Sequence, residues 1–184
     1  MIFRPLALEG VYCIELTPRG DERGQFTRLL CMNELAAIGH GKSVVQANHS
    51  LTQSAGAIRG MHFQCPPKAE IKMVTCLRGS VFDVVIDVRS GSRTFLGWQG
   101  IELSKDNHHM IYIPAGFAHG FQALEDECEL LYFHTEYYSP DFEDGIRYDD
   151  EAVKVAWPLP VTNVSQRDLS HKKILLRKFE GVTV

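Results

Sequence analysis

Short apolar stretches that alternate with polar positions recur through the middle of the chain. They are rich in Val, Ile, Phe and Tyr and are separated by Gly, Pro, Asn and Asp, which is typical of antiparallel β-strands. In the segment 79–92, alternation places four apolar side chains on one face, and Asp83 and Asp87 with two valines on the other. Further strands are predicted over 71–79, 108–124 and 128–138. Strands at this spacing indicate a sandwich or barrel.

Helical signals are weak by comparison. Residues 33–39 can form one or two turns closed by a glycine, and residues 164–179 can begin as a short helix. The segment 139–158 carries Pro and Asp punctuation that leaves little room for regular structure. The ends, before about Pro5 and after about Lys178, look expendable. We therefore predict an all-β fold with a few short peripheral helices.

Composition and charge narrow the class of protein. A chain of 184 residues with 45% hydrophobic content can bury one sizeable core, so we predict a single domain over residues 1–184. No apolar run approaches the roughly 18 residues of a membrane span, and the first residues lack the pattern of a signal peptide, so we expect a cytoplasmic protein. Five scattered cysteines argue against a disulfide framework, and the net charge of -4 gives no basic field for nucleic acid.

Eight histidines invite a metal hypothesis. The segment 114–121, PAGFAHGF, looks like the second half of a cupin metal motif. The first half normally supplies two histidines and a carboxylate close together, but RGMHFQ supplies only His62. His108 and His109 are adjacent, so on a strand they point in opposite directions. Zinc requires three or four converging ligands, and we therefore predict a cupin-like barrel without metal.

Strand alternation brings polar groups together in a more specific way. It places His62 with Gln64 on one strand face, and it pairs Glu70 with Lys72 and Tyr132 with His134 on two others. If those faces line a barrel, an imidazole, an ammonium and a phenol converge. Taken singly, a lysine is more often a surface charge and a tyrosine a core aromatic. The joint pattern is what indicates a site.

The stretch around Arg59 and His62 poses a geometric problem. On a regular strand these two side chains point to opposite faces, so a plain strand cannot deliver both to one pocket. Gly60 lies between them, and a glycine within a strand often marks a bulge or a close backbone approach. We expect the chain to be irregular over Ile58 to Gly60, or Arg59 to reach around the barrel rim.

Eight segments occur in an order and spacing that resemble one enzyme family, that of dTDP-4-dehydrorhamnose 3,5-epimerase. They are DERGQF, QANHSLT, IRGMHFQ, IKMV, GSVFDVVIDVRSGSRTFLGW, IPAGFAHGF, LYFHTEYYSPDFEDGIRYDD and VSQRD. The resemblance covers roughly residues 5 to 172. It implies a cupin-type β-jelly roll that works without metal or cofactor on a nucleotide-diphosphate 4-keto-6-deoxy sugar. It also implies a homodimer with N-terminal strands exchanged between subunits.

The resemblance implies roles for four catalytic residues. His62 is similar to the base that removes a ring proton, and Asp168 to the carboxylate that orients and charges this base. Tyr132 matches the acid that returns a proton to the opposite face, and Lys72 matches the cation beside the 4-keto oxygen. Asp83 is expected to support His119 as a second pair. The residues implied in substrate binding are Arg23, Phe26, Arg28, Gln46, Asn48, Arg59, Gln64, Asp83, His119, Tyr138, Glu143 and Arg167.

The implied chemistry explains these residue types. A carbonyl at C4 acidifies the hydrogens at C3 and C5, because the resulting carbanion is delocalised onto the keto oxygen as an enolate. A fixed cation such as Lys72 stabilises that oxyanion by on the order of 3 kcal/mol. An imidazole can take and release a proton at neutral pH, and inversion requires a second group across the ring. Arg59 and Arg23 suit the diphosphate, because guanidinium forks match phosphate oxygens in pairs.

Three positions depart from the family pattern. Arg28 stands where the family usually has a glutamate that accepts a hydrogen bond from thymine N3–H. Because arginine can only donate, it favours cytosine and a CDP-linked sugar, unless Arg28 turns to solvent or to the diphosphate. Arg167 replaces the more usual lysine before Asp168 and keeps its charge. Phe133 stands where a lysine is common after the tyrosine.

Two other activities stay open at this point. A mono-epimerase acting at C3 or C5 only, or a 3,4-ketoisomerase, can be built on the same scaffold. A non-catalytic sugar-binding cupin is a competitor from another class. It is disfavoured because all four catalytic positions carry competent residues.

Overall fold

The strands predicted from alternation are present and pair antiparallel in a computed structural model, which describes all of residues 1–184. In chain order the thirteen strands are β1 Ile2–Pro5, β2 Tyr12–Glu15, β3 Arg19–Asp21, β4 Gly24–Phe26, β5 Gln46–Thr52, β6 Ile58–Gln64, β7 Lys72–Arg78, β8 Ser80–Asp87, β9 Trp98–Ser104, β10 His109–Ile113, β11 Phe117–Ala123, β12 Cys128–His134 and β13 Glu143–Gly145. The helices are α1 Met32–Leu35, α2 Gln166–Ser170 and α3 Ile174–Arg177.

Two sheets and one hairpin account for all thirteen strands. The six-stranded sheet has the order β1-β2-β10-β7-β12-β5, and the five-stranded sheet has the order β13-β6-β11-β8-β9. Strands β3 and β4 form a separate hairpin. Strands that are distant in the chain lie side by side in both sheets, as in a jelly roll. The all-β prediction is confirmed. None of the helices is long and apolar enough to cross a membrane.

The main core lies between the two sheets. Val74 of β7 and Leu130 of β12 pack there against Val85 of β8 and Phe121 of β11, and all four are buried. The opposite face of β8 is buried as well, because Val84 and other residues of that face meet the C-terminal part of the chain. The two-faced pattern predicted for this segment is therefore correct, and each face has its own apolar cover.

The peripheral segments show where prediction succeeded and where it did not. Helix α1 continues as a 3-10 turn over Ala36–Ile38 and ends at a glycine with positive φ, as predicted. The expectation that the chain ends are expendable is wrong. Residues Ile2–Pro5 form β1, paired with β2, and Val182 is buried and hydrogen-bonds to the backbone of Val88 and Ser90. That residues 1–184 make up a single domain stays a prediction.

An irregularity in β6 positions the site. His119 pairs with His62, whereas Phe121, two residues further along β11, pairs with Arg59, three residues back along β6. The extra residue on β6 is accommodated at Gly60, where a Cβ would lie 2.5 Å from Gly120 Cα. The predicted irregularity over Ile58 to Gly60 is confirmed. Because of it, Arg59 and His62 both face one cavity.

Candidate active site

A cavity of about 870 Å³ opens between the two sheets. Strands β5, β7 and β12 of the six-stranded sheet form one wall, while β6, β11 and the segment leading into α2 form the other. Most of the residues predicted from the sequence line it, namely Gln46, Asn48, Arg59, His62, Gln64, Lys72, His119, Tyr132, Tyr138, Glu143, Arg167 and Asp168. The fold thus gathers side chains that are up to 122 positions apart in the chain, from Gln46 to Asp168.

His62 and Asp168 form a hydrogen-bonded pair. His62 Nε2 lies 2.7 Å from Asp168 Oδ1, and the Gly60 N–H donates to Asp168 Oδ2 at 3.2 Å. Ser165 caps α2 by accepting a hydrogen bond from the Asp168 N–H. Burial alone would raise the pKa of Asp168, but the hydrogen bond and charge of His62, together with the Gly60 N–H, outweigh it and hold that pKa below its ordinary value. The carboxylate therefore fixes the imidazole through Nε2 and leaves Nδ1 available as a base.

Tyr132 lies on the wall opposite His62. Its hydroxyl is 3.3 Å from Ser50 Oγ, its ring stacks on His134 at 6.1 Å, and it meets His119 edge to face at 6.3 Å. Burial raises the pKa of Tyr132 well above its usual value. The phenol therefore keeps its proton across the physiological pH range and can donate it.

Lys72 is held deep in the cavity. Its Nζ lies 3.1 Å from Glu70 Oε1 and 3.4 Å from the carbonyl oxygen of His62. The other oxygen of Glu70 lies 2.8 Å from His134 Nδ1. Alternation placed Glu70 beside Lys72 and His134 beside Tyr132, but sequence reasoning gave Glu70 and His134 no role. Their position two residues from a predicted catalytic residue, on the same strand face, was the available signal.

His119, which lines the cavity, forms a second pair with Asp83, which lies behind the cavity wall. His119 Nε2 lies 2.8 Å from Asp83 Oδ2, and Asp83 is fully buried, with no partner for Oδ1. Burial raises the pKa of Asp83, although the neighbouring His119 opposes this effect. Asp83 does not line the cavity. The prediction that Asp83 binds substrate directly is therefore wrong for this cavity, whereas its pairing with His119 is as expected from the sequence.

A group of polar residues lies at the far end of the cavity around Tyr138. The Tyr138 hydroxyl donates to Glu143 Oε2 at 2.9 Å, and Arg167 forms an ion pair with the same carboxylate. Gln64 differs from its predicted part as a ligand contact. Its amide is occupied by backbone groups of Lys68 and of residues 137 and 139, so it holds the segment that carries Tyr138 rather than a free ligand.

Arg59 lies at the mouth of the cavity. Its Nε donates to Thr52 Oγ1 at 2.9 Å, and its Nη2 donates to the Leu51 carbonyl oxygen at 3.0 Å. Both partners belong to the edge strand β5, so the guanidinium crosses from one sheet to the other. Its remaining N–H groups are free to bind an anion.

Besides Asp83, three predicted binding residues lie outside the cavity of this chain. Arg23 pairs with Asp21 on the exposed β3–β4 hairpin, and Phe26 of the same hairpin is 73% exposed. Arg28 Nη1 donates to Glu34 Oε1 at 2.6 Å. The structure of one chain does not bring Arg23, Phe26 or Arg28 to the other site residues. The hairpin that carries Arg23 and Phe26 pairs only with itself, so no strand pairing ties it to the sheets that form the cavity.

A metal ion would compete with the His62–Asp168 pair. His62, Asp168 and His171 place one ligand atom each within 4.8 Å of one another. Tetrahedral zinc with bonds of about 2.0–2.1 Å separates its ligand atoms by about 3.3 Å. The His62 and Asp168 atoms lie 2.7 Å apart, at hydrogen-bond distance. The three residues could take up a cation only by giving up that bond, and the absence of a resident metal stays a prediction.

The fold and the cavity define a jelly-roll protein whose imidazole, ammonium and phenol suit proton transfer beside a carbonyl. A family model described as dTDP-4-dehydrorhamnose 3,5-epimerase matches residues 5–175. The chain belongs to the dTDP-4-dehydrorhamnose 3,5-epimerase family, as the sequence motifs predicted.

Individual relatives agree with this assignment. A dTDP-4-dehydrorhamnose 3,5-epimerase of Shigella flexneri is 40% identical over 157 residues, which cover 85% of this chain and 86% of that protein. A dTDP-4-dehydrorhamnose 3-epimerase of Streptomyces niveus is 39% identical over 169 residues, which cover 91% of this chain and 81% of that protein. The crystal structure of a Legionella pneumophila 3,5-epimerase in complex with dTDP-4-keto-L-rhamnose has a TM-score of 0.93 at 34% identity, covering 100% of this chain and 98% of that chain. The predicted cupin-type jelly roll is confirmed.

Proposed function

We propose that the protein is an isomerase that inverts C3 and C5 of a dTDP-linked 4-keto-6-deoxyhexose. One observation carries the proposal: the base His62 and the acid Tyr132 lie on opposite walls of one cavity, and the side chain of Lys72 lines the same cavity from the wall that carries Tyr132. Inversion needs a proton to leave one face of the sugar ring and another to arrive at the opposite face. Two groups on facing sheets meet that need.

The reaction follows from the chemistry of these groups. His62 Nδ1 takes the proton from the carbon beside the keto group, and Asp168 stabilises the resulting imidazolium. The electron pair moves onto the keto oxygen, where Lys72 stabilises the enolate. Tyr132 then donates its proton to the opposite face of the same carbon. His62 releases a proton to solvent and Tyr132 regains one, so the enzyme is restored without any cofactor.

The nucleotide is proposed to be dTDP. The epimerases of Shigella flexneri and Streptomyces niveus both carry dTDP in their names, and Tyr138 presents an exposed ring at the far end of the cavity for a base to stack on. The expectation of CDP rested on Arg28. In this chain Arg28 is bound to Glu34 outside the cavity, so within one chain it reads no base.

We propose that the protein is a homodimer with exchanged N-terminal strands. The β3–β4 hairpin is exposed and carries Arg23 and Phe26 away from their own cavity. Strand β5, which bears Gln46 and Asn48, pairs only with β12 and leaves its other edge open. An open edge strand commonly finds a partner. A hairpin from a second copy of the chain would supply the residues that the cavity lacks.

A mono-epimerase is the second candidate, because the Streptomyces niveus 3-epimerase is as similar to this chain as the 3,5-epimerase of Shigella flexneri. The same base and acid serve both reactions. The two reactions differ in whether a second carbon presents its proton to His62 after the first inversion.

The cytoplasmic location expected from the sequence stays a prediction, which cell fractionation would test.

One experiment separates these functions. The protein is incubated with the dTDP and CDP forms of 4-keto-6-deoxyglucose in heavy water, and deuterium at C3 and C5 is followed by NMR. We expect exchange at both carbons of the dTDP form. Exchange at one carbon would establish a mono-epimerase, faster turnover of the CDP form would overturn the choice of nucleotide, and no exchange in either would sink the enzymatic proposal.

The variant His62→Asn tests the base. We expect exchange at both carbons to be lost, by at least a hundredfold, because an amide cannot accept the proton. Binding of dTDP, measured by calorimetry, is expected to stay within a few-fold of wild type. Retained exchange would remove His62 from the role of base.

A further inference from the structure

The proposed reaction leaves two buried groups beside Lys72 without a part. Glu70 lies between two donors, with Oε1 3.1 Å from Lys72 Nζ and Oε2 2.8 Å from His134 Nδ1. The side chains of Lys72, Glu70 and His134 are only 11%, 8% and 12% exposed. Protein covers most of each side chain, and the rest faces the cavity. If His134 were lost, the Glu70 carboxylate would be left with Lys72 as its one remaining charged or hydrogen-bonding partner among these groups.

The ionisation state of Glu70 matters because its carboxyl group lies next to the Lys72 ammonium. Burial alone would raise its pKa, but the hydrogen bond from His134 and the charge of Lys72 outweigh burial and bring that pKa below its ordinary value. Glu70 is therefore a carboxylate next to the ammonium that is proposed to stabilise the enolate. An anion bound to that ammonium alone would weaken its attraction for the keto oxygen.

The hydrogen bonds of the neighbouring amides fix which proton His134 carries. The Tyr138 N–H donates to Gln46 Oε1 at 3.1 Å, so the Gln46 amide turns its NH₂ toward Asn48 Oδ1, 3.3 Å away. Asn48 is left with its own NH₂ facing His134 Nε2 at 3.3 Å. An NH₂ group can only donate.

The consequence is a fixed direction of donation. His134 Nε2 must accept from Asn48, and the ring proton therefore lies on Nδ1, where it points at Glu70. The stack of His134 on Tyr132 holds the ring plane in place. A backbone group at residue 138 thus sets the orientation of a donor that reaches Glu70, and through Glu70 the ammonium of Lys72.

We propose that His134 is a positioning residue for Lys72 and acts through Glu70. Its Nδ1–H binds one oxygen of the carboxylate, so that Glu70 steadies the ammonium through the other oxygen without drawing it away from the keto group. Without His134, the Glu70 carboxylate interacts with the Lys72 ammonium alone. The stronger ion pair then weakens the attraction of that ammonium for the enolate oxygen. The inference rests on the proposed function, because the role of Lys72 at the keto oxygen is part of it.

The test is a pair of linked substitutions. His134→Phe keeps an aromatic ring on Tyr132 but has no N–H for Glu70, and we expect kcat to fall about tenfold with KM little changed. Adding Glu70→Gln removes the charge that His134 no longer shares. The double variant is therefore expected to be several-fold more active than His134→Phe alone. A role in packing only would make the double variant the worse of the two.

Conservative and matched variants complete the test. His134→Gln retains both a donor for Glu70 and an acceptor for Asn48, and its kcat is expected to stay within about threefold of wild type. It also serves if His134→Phe fails to fold. Glu151→Gln removes a carboxylate 2.8 Å from Lys173 on the surface, and it should leave kcat unchanged.

The outcomes separate the inference from the proposed function. An active wild type with an unchanged kcat in His134→Phe would overturn the role of His134 alone. So would a double variant that is no more active than His134→Phe. A wild type that exchanges no deuterium would overturn the proposed function, and with it the roles of Lys72 and its neighbours.

Discussion

Tyr132 is surrounded by groups that keep it protonated without hiding it from the cavity. Its ring lies between His119 and His134, and its hydroxyl is within hydrogen-bond distance of Ser50 Oγ. Burial raises the pKa of Tyr132 above its usual value, so deprotonation by bulk solvent at neutral pH is unfavourable. The tyrosine can act as the proton donor, while His62 on the other wall acts as the base.

This division of labour predicts a specific fault in Tyr132→Phe. The ring packing is kept and His62 is untouched, so a proton still leaves the sugar and can return from His62 to the same face. We expect deuterium to enter from heavy water with retention, while inversion falls by at least a hundredfold. NMR distinguishes the two, because deuterium content and ring coupling constants are separate readouts.

The control for this prediction is Tyr137→Phe. Tyr137 is 61% exposed and does not line the cavity, so loss of its hydroxyl should change neither exchange nor inversion. Inverted product from Tyr132→Phe at a rate close to that of wild type would show that another group supplies the second proton.

Single residues also show the reach of sequence reasoning. The irregularity at Gly60 could be predicted because alternation alone puts Arg59 and His62 on opposite faces of a strand. A glycine between them allows the bulge that brings both to one side. The structure agrees, since no larger side chain fits against Gly120. The link from His134 to Glu70 was not readable. It joins Glu70, two residues before β7, to the last residue of β12, 64 positions further along the chain, and no local pattern encodes that contact.

At the scale of elements, the turn between β8 and β9 is organised by one buried carboxylate. Asp87 accepts hydrogen bonds from Arg89, Ser92 and Thr94, and its side chain is fully buried. Burial alone would raise the pKa of Asp87, but these bonds outweigh it and lower that pKa from 3.8 to about 2. The turn is therefore more stable when Asp87 is ionised.

The sign of the pH dependence follows from that shift. A carboxyl group whose pKa is depressed on folding stabilises the protein fully above its unfolded value near 4, and this contribution is lost as the pH falls through 2. We expect Asp87→Asn to lower the free energy of unfolding by roughly 1–2 kcal/mol at pH 7, and by about half as much at pH 3. Urea denaturation of both proteins at the two pH values measures this.

An exposed aspartate provides the comparison. Asp21 also pairs with an arginine, Arg23, but on the surface of the hairpin. Asp21→Asn should leave the free energy of unfolding unchanged within error, because exposed ion pairs contribute little. A destabilisation by Asp87→Asn that is the same at pH 3 and pH 7 would mean that packing, rather than charge, is what Asp87 provides.

The elements that sequence reasoning found were those with a strong period. Strand β8 has a clear alternation, and both of its faces are buried as that pattern required. The C-terminal residues were misjudged because nothing local marks them. Val182 is buried in the apolar cluster behind β8 and is held there by long-range backbone bonds to Val88 and Ser90. Strand β13 was missed because it is a three-residue strand within a Pro- and Asp-rich segment. Such contacts depend on the assembled sheet.

At the scale of the whole molecule, the cavity and the hairpin do not match within one chain. Arg23 was expected at the diphosphate, yet it lies on a hairpin that pairs only with itself and pairs there with Asp21. Phe26 exposes most of its ring on the same hairpin. A large exposed apolar side chain is the kind of surface that the proposed homodimer would cover. The motifs identified these residues, and the resemblance implied exchanged N-terminal strands, but no local pattern shows which cavity Arg23 and Phe26 serve.

Complementation between two defective variants tests that assignment. His62→Asn damages the cavity, and Arg23→Ala damages the hairpin. If each hairpin completes the cavity of its partner, a heterodimer of the two variants has one site with both defects and one site with none. The heterodimer should then recover about half of the wild-type activity, although each homodimer is nearly inactive. Co-expression with two different affinity tags allows the heterodimer to be isolated.

A dimer without exchange of hairpins predicts a different activity for the heterodimer. If each hairpin serves its own cavity, every site in the heterodimer carries one defect, and its activity stays near that of the homodimers. A pair of cavity variants, His62→Asn with Tyr132→Phe, is the matched control, because both defects lie on strands of the same cavity and no exchange of hairpins can separate them. If only the first heterodimer recovers activity, Arg23 acts in the cavity of the partner subunit. If neither recovers activity, Arg23 acts in the cavity of its own chain.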